Sequence, residues 1–343
     1  MTRTDPSTPP HQERTRSAGR DFLRRSRAFL RTRVPPVAWA YQKFLFAICT
    51  EAPNDCASIP KVKDAGALVH VHDGGVDYQV MHNGIKVRLN SYYADLNTEI
   101  ISHLRGHHEP QEERVFYEVL NSLPQDICMI EAGSYWGYYS MWAQTTKTRA
   151  RNILIEPVDD HARVGFDNFA LNGLHAEFIR AYVGATSESP HTKKFENEVI
   201  VDLERISIDD LMKRVNIEFA HIVHADIQGA EDELLAGAVE SVRASRIGYF
   251  FISTHGHDVH ARCRAFFQEH EFRIVAEHSR SESFTTDGLI VARAREYPGL
   301  DSVSIQKNSN WKSGVALLRH FLRSVRSAVG RANRAKTGAD YDF

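Results

Sequence analysis

Between residues 126 and 294, short apolar runs alternate with helical segments, and this alternation restricts the fold more than any other feature. The strands read as 127–131, 152–156, 176–182, 220–226 and 247–253. Helical segments fall between or after them near 136–147, 158–172, 208–214, 229–240 and 257–269. Runs such as NILIE, HIVHAD and IGYFFIS are short and apolar, as buried parallel strands are. Strand–helix alternation predicts an α/β domain with a mostly parallel, doubly wound sheet. Strands 272–278 and 287–294 close the series, joined by a polar turn containing Asp287-Gly288. With no helix between them, one must run antiparallel, and the expectation is a Rossmann-like sheet of seven strands. Ser207-Ile208-Asp209-Asp210 reads as a helix cap, and 195–204 adds a small strand or loop.

The flanks divide the chain further. Residues 1–20 are polar and proline-containing, a composition that predicts a disordered tail. Residues 21–109 form an N-terminal extension. Within it, 21–34 has apolar residues at helical spacing among arginines, ended by Pro35-Pro36. Residues 34–50 are too short and too interrupted for a signal core, and nothing else supports a transit peptide. YQVMHNGIKVRL predicts a hairpin around Asn83-Gly84 with a type I′ turn. An amphipathic helix over 110–122 opens the central domain, 110–296. Residues 297–343 carry a stripe from Trp311 through Val315, Leu318, Leu322 and Val325 to Val329, a helix followed by Gly330.

The net charge of −2 hides an asymmetry. Residues 1–50 carry ten Lys/Arg against three Asp/Glu, and 301–343 carry eight against three, leaving 24 against 38 between them. An acidic body argues against nucleic acid as a partner. The basic helices at 21–34 and 311–329 suit packing on the chain's own surface. The alternatives are an anionic membrane surface for either and a homodimer through the C-terminal one. The longest apolar run falls short of a membrane span. Cys49, Cys56, Cys128 and Cys263 form no C-x-x-C pair, which fits a reducing cytoplasm.

The chemistry is concentrated at the strand tips. In ICMIEAGSYWGYYS (127–140) a strand ends in Glu131, followed by Gly133 and Gly137 and then a helix. Gly133 permits a tight turn against a ligand, and Gly137 lets the helix pack on the strand. A carboxylate in this turn is unfavourable for a pyrophosphate and suits a cationic or donating ligand. Glu156 ends the next strand, where such folds bind ribose hydroxyls. Glu131 and Glu156 together describe a nucleoside site without a phosphate cradle.

The series EAGSYWGYYS, ILIEP, FDNFALNGL and HADIQGAEDELLAGA resembles the FkbM-type methyltransferases, class I enzymes using S-adenosylmethionine (AdoMet) mostly to methylate hydroxyl oxygens. The resemblance covers roughly 110–294, and its most specific part runs from Asp226 through Gly229, Ala230, Glu231, Leu235 and Gly237 to Ala238. Two departures stand out: Gly133-Ser134-Tyr135-Trp136 replaces an acidic-Gly-Ala-Asn stretch, and His224 stands where a lysine is common. The resemblance implies AdoMet as cofactor, with Glu131 near the methionine ammonium and Gly133 and Tyr135 in the same loop. It further implies Glu156 at the ribose and Ala181 and Tyr182 beside the adenine. A Glu-Pro such as Glu109-Pro110 is frequent in the family and fits a lid over the cofactor.

Methyl transfer needs an aligned acceptor and a place for its proton. The candidates are Asp226, ending strand four, and His255, after strand five. Either His255 is the base with Asp226 orienting it, or the two hold a divalent cation with Glu231 or His257; the cation is not expected. Glu231 either joins the catalytic group or only caps its helix. His70-Val71-His72 and His107-His108 have metal-like spacing but read better as surface histidines. Tyr92, Tyr93 and Trp136 either line an acceptor pocket or pack the core. The expected function is AdoMet-dependent O-methylation of a sugar-containing or other small acceptor, in the cytoplasm or peripherally at the inner membrane face. The rivals are a non-catalytic AdoMet-binding or assembly protein and a nicotinamide-dependent oxidoreductase.

Overall fold

The computed structural model describes residues 35–50, 54–72, 75–92, 94–195 and 198–308. The expected tail at 1–20 and the basic helices at 21–34 and 311–329 lie outside the described residues. Helix α1 (Pro35–Thr50) begins on the two prolines that the sequence suggested as a stop. Proline lacks an N–H, and the first helical turn leaves its N–H groups unpaired anyway, so the pair starts this helix.

A compact unit spans Ile48–Trp311. It opens with a 3-10 turn (Asn54–Cys56) and a small antiparallel sheet of β1 (Leu68–Val69), β2 (Tyr78–Val80) and β3 (Lys86–Arg88). The hairpin at Asn83-Gly84 exists, with Val80 opposite Lys86. Its turn is not type I′: Gly84 is left-handed at φ +87°, but Asn83 is not, and type I′ requires both. Helices α2 (Ala94–His103) and α3 (Pro110–Ser122) lead into the main sheet.

That sheet contains β4 (Asp126–Ala132), β5 (Arg149–Ile155) and β6 (Glu177–Ile179), with α4 (Tyr138–Thr146) and α5 (Asp159–Leu171) as the crossovers. A second, three-stranded sheet follows, made of β7 (Tyr182–Val183), β8 (Glu188–Phe195) and β9 (Glu198–Ile206). The β8–β9 hairpin is longer than the short element expected at 195–204. Helix α6 (Ile208–Arg214) starts at Ser207, whose hydroxyl accepts the Asp210 N–H as its cap signature indicated. The main sheet resumes with β10 (Ala220–Ala225), α7 (Glu231–Ala236), α8 (Val239–Arg243), β11 (Ile247–Thr254), α9 (His257–Glu269), β12 (Arg273–His278) and β13 (Gly288–Arg293).

The seven strands lie in the order β12-β13-β11-β10-β4-β5-β6. β13 alone is antiparallel, inserted between β11 and β12. This is the doubly wound, mostly parallel seven-strand α/β sheet that the sequence predicts. The order reverses between β4 and β10, and in open α/β sheets the ligand crevice lies beyond the carboxyl ends of strands at such a point. Two cores cover the faces: one centres on Val115, Phe116, Met129 and Tyr138, the other on Ile130, Val223, Phe250 and Leu234. Every residue of β11 is buried, as a central parallel strand should be. Among the described residues no helix is long and apolar enough to cross a membrane.

Candidate active site

The glycine turn is built as its sequence required. Gly133 has φ +72°, and a Cβ there would lie 2.0 Å from the backbone oxygen of Asp226. Gly137 has φ +69°, and its missing Cβ leaves room for the ring of Phe169 and for Leu154. The first glycine thus brings the tip of β4 against the tip of β10, and the second seats α4 on the sheet.

Four N–H groups of this turn, those of Gly133, Ser134, Tyr135 and Gly137, already have partners. The Gly133 and Ser134 N–H groups donate to the Ile155 carbonyl, and Gly137 N–H donates to Ser134. Glu156 accepts from Tyr135 N–H (3.0 Å) and, with its other oxygen, from Val158 N–H (2.9 Å). Glu131 is buried beneath the turn and accepts the Ser140 N–H in the first turn of α4 (3.0 Å). The expected place of Glu131 is beside a ligand; here one of its oxygens also meets a helix N–H. Burial raises its carboxyl above the usual range, opposed by His224 and Ser140. A carboxylate therefore occupies the helix start where a dinucleotide fold would hold phosphate.

The Tyr135 ring stacks on His161 with centroids 3.8 Å apart, and His161 Nδ1 lies 3.7 Å from Glu156. The Trp136 ring stacks on Tyr92 at 4.2 Å, edge-on to His108. Trp136 is buried in the core, and Tyr93 lies outside the described residues. Ala181 and Tyr182, expected beside an adenine, are buried where the chain passes from β6 to β7.

Asp226 and His255 come together as adjacent strand tips, with β10 and β11 parallel and Ala225 level with Ile252. His255 Nε2 lies 3.2 Å from Asp226 and 3.5 Å from Asp287; its Nδ1 lies 2.7 Å from Glu231. Glu231 is fully buried and also accepts the Gly229 N–H at the start of α7 (2.9 Å). One Glu231 oxygen therefore holds both the loop before α7 and the His255 imidazole. Burial opposes charge on His255, but Glu231, Asp287 and Asp226 outweigh it and raise the imidazole to about 10. Burial raises Asp226 to about 7 against the pull of His255, and Asp287, Glu109 and Glu112 add to the rise. An imidazole held as a cation donates to the carboxylates around it. His257 is exposed at the start of α9; Asp287 completes the group instead.

A small cleft beside this group is lined by Glu109, Glu112, Ser253, His278, Thr285 and Asp287 among others. Glu112 binds His224 Nε2 (2.7 Å) and accepts the Ser253 hydroxyl (2.8 Å). Glu109 accepts the Tyr139 hydroxyl (3.0 Å) and lies 3.2 Å from His108 Nε2. Glu113 holds His107 and His108 together from beneath.

His107 and His108 are thus not the surface pair that their spacing suggested: both are buried, with Glu109 and Glu113 as partners. Burial opposes charge on His108, yet the two carboxylates raise it to about 10. His70, in contrast, is exposed and pairs with Asp77. Sequence reasoning did not single out Asp287, Glu112 or Ser253 for the site. Asp287 stood in a turn signal, Glu112 in an amphipathic helix and Ser253 at a strand end, and none of those patterns marks a site.

Comparison with known proteins matches the central part of the chain to one family. Residues 128–274 match the model of the methyltransferase FkbM domain, and that stretch carries an FkbM methyltransferase domain. Among curated proteins none matches the chain. Similar solved structures include precorrin-6y C5,15-methyltransferase from Geobacter metallireducens, at 11% identity and TM-score 0.37, covering 53% of this chain and 86% of that one. Another is methyltransferase FkbM from Methylobacillus flagellatus, at 15% identity and TM-score 0.38, covering 57% and 52%. TrmK of M. capricolum, in complex with S-adenosyl-homocysteine, gives 13% identity and TM-score 0.36, covering 64% and 85%.

Proposed function

We propose that this FkbM methyltransferase domain methylates a hydroxyl of a sugar-containing or other small acceptor, with AdoMet as donor and Asp226 as base. One observation carries the reading: the Asp226–His255–Glu231 group abuts the glycine turn, through the backbone contact of Gly133 with Asp226. Cofactor loop and proton acceptor are therefore neighbours at the strand switch point.

The residues present fit AdoMet. Glu156 uses one lone pair on each oxygen, and each carboxylate oxygen has about two acceptor positions, so ribose hydroxyls find partners there. The buried Ser134 hydroxyl in the same turn has no hydrogen-bond partner. Tyr135 and His161 stack beside Glu156 and would part to admit the nucleoside. Ala181 and Tyr182 would border the adenine, and Glu131 would act from below by fixing the start of α4. The N–H groups of Gly133, Ser134, Tyr135 and Ser140 point to carbonyls and carboxylates, and the buried Glu131 at the helix start disfavours a pyrophosphate and hence the nicotinamide reading.

AdoMet supplies an electrophilic methyl group on a sulfonium. The protein aligns the acceptor oxygen and takes its proton at Asp226, while the His255 cation, positioned by Glu231, steadies the carboxylate. The cleft carboxylates Glu109, Glu112 and Asp287 accept hydrogen bonds when ionised, so they select an acceptor rich in hydroxyl or ammonium donors. An anionic acceptor would be repelled. Methylation of polyhydroxylated acceptors, lost in Asp226→Asn with AdoMet binding retained, is the expected result. Unchanged function in Asp226→Asn and His255→Ala would favour the non-catalytic reading.

The basic ends support a location: cytoplasmic, with peripheral contact to anionic lipid at the inner membrane face. Flotation with anionic liposomes tests it, and absence of binding at low salt would remove that part of the proposal.

A further inference from the structure

Cys56, His107 and Glu113 reach one point from three segments: the 3-10 turn, the loop before α3, and the first turns of α3. One ligand atom of each (the thiol sulfur, a ring nitrogen and a carboxylate oxygen) lies within 4.8 Å of the other two. All three residues are buried, and the side chains of His107 and Glu113 have no exposure. Methyl transfer uses none of them. His107 Nδ1 engages Glu113, and its Nε2 is buried with no hydrogen-bond partner. The Cys56 thiol has one long contact, 3.5 Å to the Pro110 carbonyl.

We propose that Cys56, His107 and Glu113 bind one zinc ion that ties the N-terminal turn to helix α3. Thiolate, imidazole and carboxylate are the three side-chain donors zinc accepts, and three protein ligands leave one tetrahedral position for water. The charges balance: a dication on one thiolate, one carboxylate and one neutral imidazole is neutral overall, which a buried site tolerates. Binding breaks the Cys56 S–H bond, forms an S–Zn bond and releases one proton to solvent. Glu113 also accepts the backbone N–H groups of His108 (2.8 Å) and Glu109 (3.1 Å). The ion would therefore fix the loop that presents Glu109 to the cleft, a structural role outside the methyl-transfer step.

The test uses the full-length protein, stripped with a chelator and titrated with Co²⁺. One equivalent should bind with tetrahedral d–d bands and a thiolate-to-metal charge-transfer band. Zn²⁺ should displace it, Cys56→Ser should abolish the charge-transfer band, and His107→Gln should weaken binding. X-ray absorption of the wild-type zinc form, which does not depend on any variant folding, should show one sulfur at about 2.3 Å. No stoichiometric binding, bands unchanged in Cys56→Ser, or a shell of nitrogen and oxygen alone would overturn the assignment.

Discussion

Gly133 and Asp226 touch backbone to backbone: a Cβ on the glycine would stand 2.0 Å from the Asp226 carbonyl oxygen. The contact joins the loop assigned to the cofactor with the strand tip assigned to proton transfer. Gly133→Ala adds both this clash and a left-handed strain at φ +72°. The expected cost is about 3 kcal/mol or more, because backbone rather than a flexible side chain must move. Urea denaturation measures it. Activity should fall even where the variant folds, since the two strand tips are forced apart.

The pH dependence of methyl transfer should rise through about 7, as Asp226 ionises, and fall toward 10, as His255 loses its proton. Asp226→Asn should lower kcat by about 10²–10⁴-fold. Glu231→Gln removes the charge that holds the imidazolium, so the alkaline limb should move to lower pH. A profile unchanged in both variants would contradict the assignment.

Stability should fall between pH 6.5 and 10. His108 and His255 have folded values near 10, raised from an ordinary 6.5. The folded state therefore binds more protons within that window. Their contribution is complete below about 6.5 and lost as pH rises toward 10. Removing one partner of a buried pair costs about 3–5 kcal/mol. His108→Gln should thus be destabilised at pH 7 and show a shallower decline to pH 9.5, read by urea midpoints at both values.

Removing the stack beside Glu156 should ease cofactor entry. His161→Ala takes away the ring that lies 3.8 Å over Tyr135 and should raise the association rate of AdoMet, measured by stopped-flow. A slower rate would show that His161 holds the nucleoside instead.

Much of this fold was legible because β4, β5, β10 and β11 are short apolar runs ending in polar residues, and the pattern marks where each strand stops. The same rule placed Glu131, Glu156, Asp226 and His255 at one edge. Charge states and partners were not legible. His107 and His108 looked like surface residues because their partner Glu113 lies across a helix start, and their burial depends on distant packing. Asp287 joined the site only because β13 inserts antiparallel beside β11, a matter of strand order. Pro35-Pro36 read as a stop, since proline ends a preceding helix and begins a following one equally well.

Calorimetric titration of the purified protein with AdoMet and S-adenosyl-homocysteine, with NADH as control, tests the central claim most directly. The account predicts micromolar binding of the first two, none of NADH, and loss of binding in Glu156→Ala. Well-folded protein that binds neither sulfonium nor thioether, or binds both equally in Glu156→Ala, would contradict it.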